Sequence, residues 1–216
     1  MTQFLFRAAV AAGLLACAPA FAAPTSIEIT ATDGKPAANA VVEFTPSDGR
    51  PLAATQMPAE AIIDQRNETF LPLVSVVRKG GHVVFTNNDT TMHQVYSFSP
   101  IKQFEFEIDQ GEHSKPVVFD QSGVAAIGCN IHDQMITYVY VAATPWVALT
   151  DVKGHAALDL PQGAYQASVW HPRLAPGHAP PSAALTVVGG PAKFTLAIPL
   201  LAGDMPGMKH MHMQSY

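Results

Sequence analysis

The sequence predicts an all-β protein built as a sandwich or barrel, and three observations predict it. The apolar segments are short, of strand rather than helix length. Pro 18 and Gly 15 punctuate the 216 residues densely. Turn signals recur between the apolar segments at short, even spacing, which favours a sandwich or barrel over helices.

Taken in order, Ser26–Thr30 and Ala40–Phe44 read as strands around the turn signal Asp33-Gly34-Lys35-Pro36, and residues 48–60 as a polar loop. A series of strands runs from about Ala61 to Val141, with Leu71–Val77, His82–Thr86, Phe104–Ile108, Pro116–Phe119, Val124–Ile127 and Ile136–Val141 the best candidates. Gly80-Gly81, Asn87-Asn88-Asp89, Gln110-Gly111 and Ser122-Gly123 mark turns among them. Trp146–Thr150, Ala156–Leu160, Tyr165–Trp170, Ala183–Val188 and Phe194–Ile198 follow, and residues 201–216 read as an unstructured tail.

Hydrophobic residues at 48% and charged residues at 13% exclude a disordered chain. The formal charge of -5, with Lys and Arg scattered, lacks the basic stripe that nucleic acid requires. Residues 1–22 read as a signal peptide: Arg7, an apolar stretch from Ala8 to Ala16, then an Ala20-Phe21-Ala22 cleavage site. That stretch is too short to span a membrane. Leu14-Leu15-Ala16-Cys17 offers a second reading, a lipid anchor at Cys17, although Leu15 fits that pattern poorly. Either way the chain leaves the cytoplasm, and the periplasm is the expected location.

Export leaves Cys129 without a disulfide partner in an oxidising compartment, because Cys17 is removed or lipidated. A buried inert thiol or an intermolecular disulfide would explain a lone Cys, but its neighbours point elsewhere. Gly128-Cys129-Asn130-Ile131-His132-Asp133-Gln134-Met135 places Cys, His and Met at C-x2-H-x2-M spacing. A turn brings every third side chain back to a similar direction, so this loop can aim all three at one point. His93, after the Asn87-Asn88-Asp89 turn, can reach the same end. One thiolate, two imidazoles and a thioether form the ligand set of a blue-copper electron-transfer site. Zinc prefers four strong tetrahedral donors, and Met is a poor one.

The region 61–143 resembles the cupredoxins, with a ligand loop of amicyanin-like spacing. Val83-Val84-Phe85-Thr86-Asn87 followed by His93 is similar to the family's first ligand strand, and Phe119, Gly123 and Cys129 fall at the offsets of the strand leading to its thiolate. The chain also resembles exported methylamine-utilisation-type proteins that carry a GCNIHD-type loop. The resemblance implies a Greek-key β-sandwich holding one type 1 copper, with His93, Cys129 and His132 equatorial and Met135 axial. It also implies that Asn87 ties the His93 loop to the Cys129 loop. Met92 and Ala125 depart from the family's usual proline and aromatic residue.

The implied activity is one-electron transfer, not enzymatic turnover, with the electron leaving through the partly exposed edge of His132. The implied partner is a dehydrogenase or cytochrome met transiently, and Asp133 either shapes partner choice or is an ordinary solvated turn residue.

Residues 24–47 and 146–200 resemble the two halves of a carboxypeptidase regulatory-like (transthyretin-like) sandwich, on Asp33-Gly34-Lys35-Pro36, Leu149-Thr150-Asp151-Val152-Lys153-Gly154 and Leu160-Pro161-Gln162-Gly163-Ala164-Tyr165. The region 61–143 would then be an insertion between those halves. In the tail, Met205, Met208, His210, Met211, His212 and Met213 concentrate donors suited to Cu(I), the alternative being a C-terminus of no consequence. A copper storage or handling protein, and a non-redox carbohydrate- or partner-binding module, are the competing functions. A thiol hydrolase is disfavoured, because Cys129-x-x-His132 is too tight to orient a base without a third group.

Overall fold

A computed structural model describes residues 22–50, 52 and 58–203. The expected signal peptide with Cys17, and the tail donors Met205, Met208, His210, Met211, His212 and Met213, lie outside the described residues apart from Ala22, the last residue of that peptide. Among the described residues sixteen strands run in chain order. They are β1 (Ala22–Ala31), β2 (Val41–Pro46), β3 (Glu60–Gln65), β4 (Phe70–Leu71), β5 (Val74–Arg78), β6 (Gly81–Asn87), β7 (His93–Ser99) and β8 (Lys102–Ile108). There follow β9 (Val117–Phe119), β10 (Gly123–Cys129), β11 (Ile136–Ala142), β12 (Val147–Leu149), β13 (His155–Pro161), β14 (Gly163–Trp170), β15 (Ser182–Val187) and β16 (Ala192–Ile198). Among the described residues no helix is long and apolar enough to cross a membrane.

The strands form four sheets, ordered β13-β1-β16, β12-β2-β14-β15, β5-β11-β10-β7-β8 and β4-β3-β6-β9. Alternation of buried and exposed side chains explains their pairing face to face: β6 buries every second residue, and β1 nearly so. The first two sheets enclose a core that includes Ile27, Ile29, Phe44, Tyr165, Val169 and Phe194. The other two enclose Ile63, Phe85, Val95, Phe119, Ile127 and Val139. β1 and β2, at the start of the chain, pair with β13, β14 and β16 near its end. Strands β3 to β11 lie between them in sequence and pair only with one another.

A third apolar cluster joins the two sandwiches: Val41, Leu73 and Val74, with Tyr138, Tyr140 and Trp170 packed against it. At this seam the buried carboxylate of Glu43 accepts hydrogen bonds from Tyr140 Oη (2.7 Å) and from the N–H groups of Ala143 (2.7 Å) and Thr144 (2.6 Å).

The structure differs from the best strand candidates at three places. Leu71–Val77 is not one strand: it divides at Pro72, which has no N–H for a ladder, and the Pro72 and Leu73 carbonyls accept instead from Thr137 Oγ1 at 2.9 and 3.2 Å. Strand β3 falls at the start of the expected series but outside its best candidates, because it exposes Ile62 and buries Gln65, which inverts the usual signal. Strand β7 lies within that series and likewise outside its best candidates. It points His93 and Ser97 inward with Val95, so its buried face does not read as apolar. This last difference matters most, since β7 carries the first candidate ligand.

Candidate metal centre

The centre lies where β7 begins and β10 ends. The two strands are antiparallel, with Cys129 opposite Val95 and Gly128 opposite Tyr96. His93 is two residues before Val95, on the same buried face, and so points to the thiol's end of the sandwich. After Cys129 the chain turns tightly. The Met135 N–H donates to the His132 carbonyl (2.9 Å), and the Cys129 N–H donates to the Met135 carbonyl (3.4 Å). That turn folds His132 back over the thiol and buries Met135 in the same apolar cluster as Cys129.

The pairing of β10 with β7 requires a glycine before the cysteine. A Cβ on Gly128 would stand 2.8 Å from the Cζ and Oη atoms of Tyr96. Close approach, not an unusual φ, therefore dictates Gly128, and the Tyr96 ring covers the backbone next to the thiol.

His93, Cys129 and His132 each offer one ligand atom, and these atoms lie within 4.8 Å of one another. His93 Nδ1 is 3.4 Å from Cys129 Sγ, and the two imidazole centroids are 5.2 Å apart. A trigonal ion with bonds of about 2.0–2.3 Å holds its donors roughly 3.5–4.0 Å apart, so the His93–Cys129 pair is already near that spacing. His132 Nδ1 is buried and has no hydrogen-bond partner among the described residues. A buried ring nitrogen left unpaired costs about 1–3 kcal/mol, which an ion in this position would offset. The donor set therefore fits a metal ion, and a thiolate with two imidazoles suits copper.

Each imidazole turns its other nitrogen toward a carboxylate. His93 Nε2 is 3.1 Å from Asp89 Oδ2, and His132 Nε2 is 3.6 Å from Glu68 Oε1, within ion-pair reach but longer than a hydrogen bond. Asp89 also accepts from the N–H groups of Asn67 (3.0 Å) and Glu68 (2.7 Å). Burial opposes the charge of Asp89, yet the hydrogen bonds from the Glu68 N–H, His93 and the Asn67 N–H hold its carboxyl below the ordinary carboxylate value. Asn67 and Glu68 have φ of 52° and 54°. Non-glycine residues in that region cost on the order of 1–2 kcal/mol each. Mutual backbone hydrogen bonds between Arg66 and Thr69, at 3.0 and 3.2 Å, close this turn.

Among the sequence-derived residues, His93, Cys129 and His132 come together, and Met135 is buried in the loop that closes on them. Asn87 needs correction. Its side-chain amide donates to the carbonyls of Thr91 (2.8 Å) and Ile108 (2.9 Å), and its oxygen accepts from the Asp89 N–H (2.9 Å). It thus braces the approach to His93, and among the described residues its side chain makes no hydrogen bond to the cysteine loop. That tie is made by Gln94 and Asn130, through a side-chain bond of 2.8 Å and a backbone bond of 2.9 Å. The reason is position: Gln94 is on β7 itself, beside β10. Asp89 and Glu68 were not singled out in the sequence. Asp89, four residues before His93, could have been found by its spacing; Glu68 left no local signal.

The fold and the site together define an all-β protein with a β-sandwich bearing a buried group of one thiol and two imidazoles. No protein-family model matches the chain, and no curated protein matches it. Among solved structures it is similar to a purple cupredoxin from Nitrosopumilus maritimus, at 23% identity over 38% of this chain and 99% of that one, with a TM-score of 0.35. It is also similar to amicyanin from Paracoccus versutus, at 20% identity over 46% of this chain and 97% of that one, with a TM-score of 0.34. A copper-containing nitrite reductase from Thermus scotoductus SA-01 is similar at 20% identity over 45% of this chain and 25% of that one, with a TM-score of 0.36.

Proposed function

We propose that this protein is an exported, periplasmic type 1 copper protein that carries one electron at a time. His93 Nδ1, Cys129 Sγ and His132 Nδ1 would hold the ion, with Met135 as a weak fourth ligand. One observation carries the reading: a buried thiol and two imidazole nitrogens stand within 4.8 Å of one another, and one of those nitrogens is buried with no hydrogen-bond partner among the described residues. When bound, copper would supply a reversible Cu(I)/Cu(II) couple.

The chain's own residues do the rest. Cys129 and Met135 are soft donors, which favour the reduced ion and raise the potential. His93 is fully buried and Cys129 nearly so, which excludes water from that side and keeps the donors from rearranging. A cage that barely moves between oxidation states lowers the barrier to transfer. The His132 side chain is 19% exposed, the most accessible of the three, and forms the natural exit. Burial of the donors leaves little room for a substrate at the ion, which favours a carrier over an enzyme. A redox protein such as a dehydrogenase or cytochrome, met transiently, is the proposed partner.

We further infer that residues 24–47 and 146–200 form one transthyretin-like sandwich into which residues 61–143 are inserted. The pairing of β1 and β2 with strands after residue 146 supports it. The experiment is a visible absorption spectrum of the copper-loaded, oxidised protein. An intense band that vanishes in Cys129→Ala is expected. A colourless protein that neither oxidises nor reduces reversibly would overturn the electron-carrier reading in favour of copper handling.

A further inference from the structure

The two candidate histidines come from different parts of the chain, yet one carboxylate is connected to the outer edges of both. Asp89 Oδ2 meets His93 Nε2 at 3.1 Å and also accepts from the Glu68 N–H at 2.7 Å, while Oδ1 accepts from the Asn67 N–H at 3.0 Å. Successive N–H groups in a turn of positive φ form a concavity that binds an anion, and here the anion is a side chain of the same protein. Asn67 and Glu68 are not glycine, so the turn needs outside support to persist. The same turn carries the Glu68 carboxylate to 3.6 Å from His132 Nε2.

We propose that Asp89 is the positioning residue of this centre: it orients His93 directly, and it orients His132 indirectly by pinning the Asn67-Glu68 turn that brings Glu68 to the second imidazole. The proposal rests on the copper reading for its effect on the metal, and on the protein alone for its effect on the rings. A carboxylate accepting from Nε2–H fixes the tautomer with the Nδ1 lone pair facing inward and makes the ring a stronger donor. The added negative charge favours the more highly charged ion. Asp89 and Glu68 thus oppose the soft sulfur donors and lower the potential from the value those donors alone would set.

The test compares the full chain with Asp89→Asn and Glu68→Gly. Asn at 89 has one acceptor oxygen and cannot serve His93 and both turn amides. Gly at 68 accepts the positive φ and keeps its N–H, so this variant keeps the fold while deleting one carboxylate. In copper-free protein, nitrogen-resolved NMR is expected to show His93 protonated at Nε2 and the Asn67 and Glu68 amides slow to exchange, with both features lost in Asp89→Asn. In copper-loaded protein, Asp89→Asn is expected to bind Cu(II) 10- to 100-fold more weakly. If Cu(I) affinity holds, each factor of ten raises the potential by about 59 mV. Glu68→Gly is expected to shift the potential in the same direction by less.

A wild-type potential and spectrum in both variants would overturn the proposal. So would His93 protonated at Nδ1 in the copper-free wild type. A wild type that takes up no copper would instead overturn the copper reading, and the NMR measurements would still decide the role of Asp89.

Discussion

Glu43 is expected to clamp the two sandwiches together, and its removal should be among the most damaging single changes outside the two cores. It is 7% exposed and collects Tyr140 Oη and two backbone N–H groups at 2.6–2.7 Å. Burial, and then the neighbouring Glu43 charge, push the Tyr140 phenol far above its ordinary acid range, so its hydroxyl remains a donor throughout the usable pH range. Glu43→Ala strands these donors in the seam, each at about 1–3 kcal/mol. Partial rehydration of the vacated space limits the sum, and a loss of roughly 3–5 kcal/mol is expected, comparable to breaking a buried pair. Against a typical total of about 5–15 kcal/mol this is severe. Urea titration followed by tryptophan fluorescence measures it well. Trp170 packs against Tyr138 and Tyr140 at the seam with centroids at 5.5 and 6.0 Å, and Trp146 sits in the neighbouring core. A double-mutant cycle with Tyr140→Phe should return a coupling above about 0.5 kcal/mol. A Glu43→Ala protein within about 0.5 kcal/mol of wild type, with no coupling to Tyr140, would refute the clamp.

Other outcomes follow from the same physics. Gly128→Ala should destabilise by about 1–3 kcal/mol, because its Cβ would press on the Tyr96 ring, and Gly128→Ala with Tyr96→Ala should recover part of that loss in thermal melts. His171 is buried, donates from Nε2 to the Ala38 carbonyl (2.9 Å) and accepts the Arg173 N–H at Nδ1 (2.9 Å). Burial is the main cause that pushes its pKa down from 6.5 to about 4. The unfolded chain therefore binds the extra proton first, so stability is full above pH 6.5 and falls as pH drops toward 4. The loss is about 3 kcal/mol and should be absent from that window in His171→Gln. Phe85→Ala, which removes a fully buried ring packed against Phe70, Phe104 and Phe106, should cost about 3–5 kcal/mol in urea unfolding.

The sequence by itself determined the all-β class and most of the strands, since short apolar runs cut by Gly and Pro leave few alternatives. It also determined that Cys129, His132 and Met135 share one tight loop, because local spacing is a covalent fact. The arrival of His93 was not local: it depends on β7 pairing with β10, and β7 hides its inward face behind His93 and Ser97. The same holds for the brace. Asn87 was expected to tie the loops and Gln94 with Asn130 does so, because adjacency across a ladder outweighs adjacency along the chain. Only the tertiary structure could bring Glu68 to His132 and Asp89 to the Asn67-Glu68 turn. The physical reason is that a ligand's inner donor is a matter of residue type and spacing, which sequence carries. What stands behind it is decided by loops from separate strands meeting at one end of a sandwich.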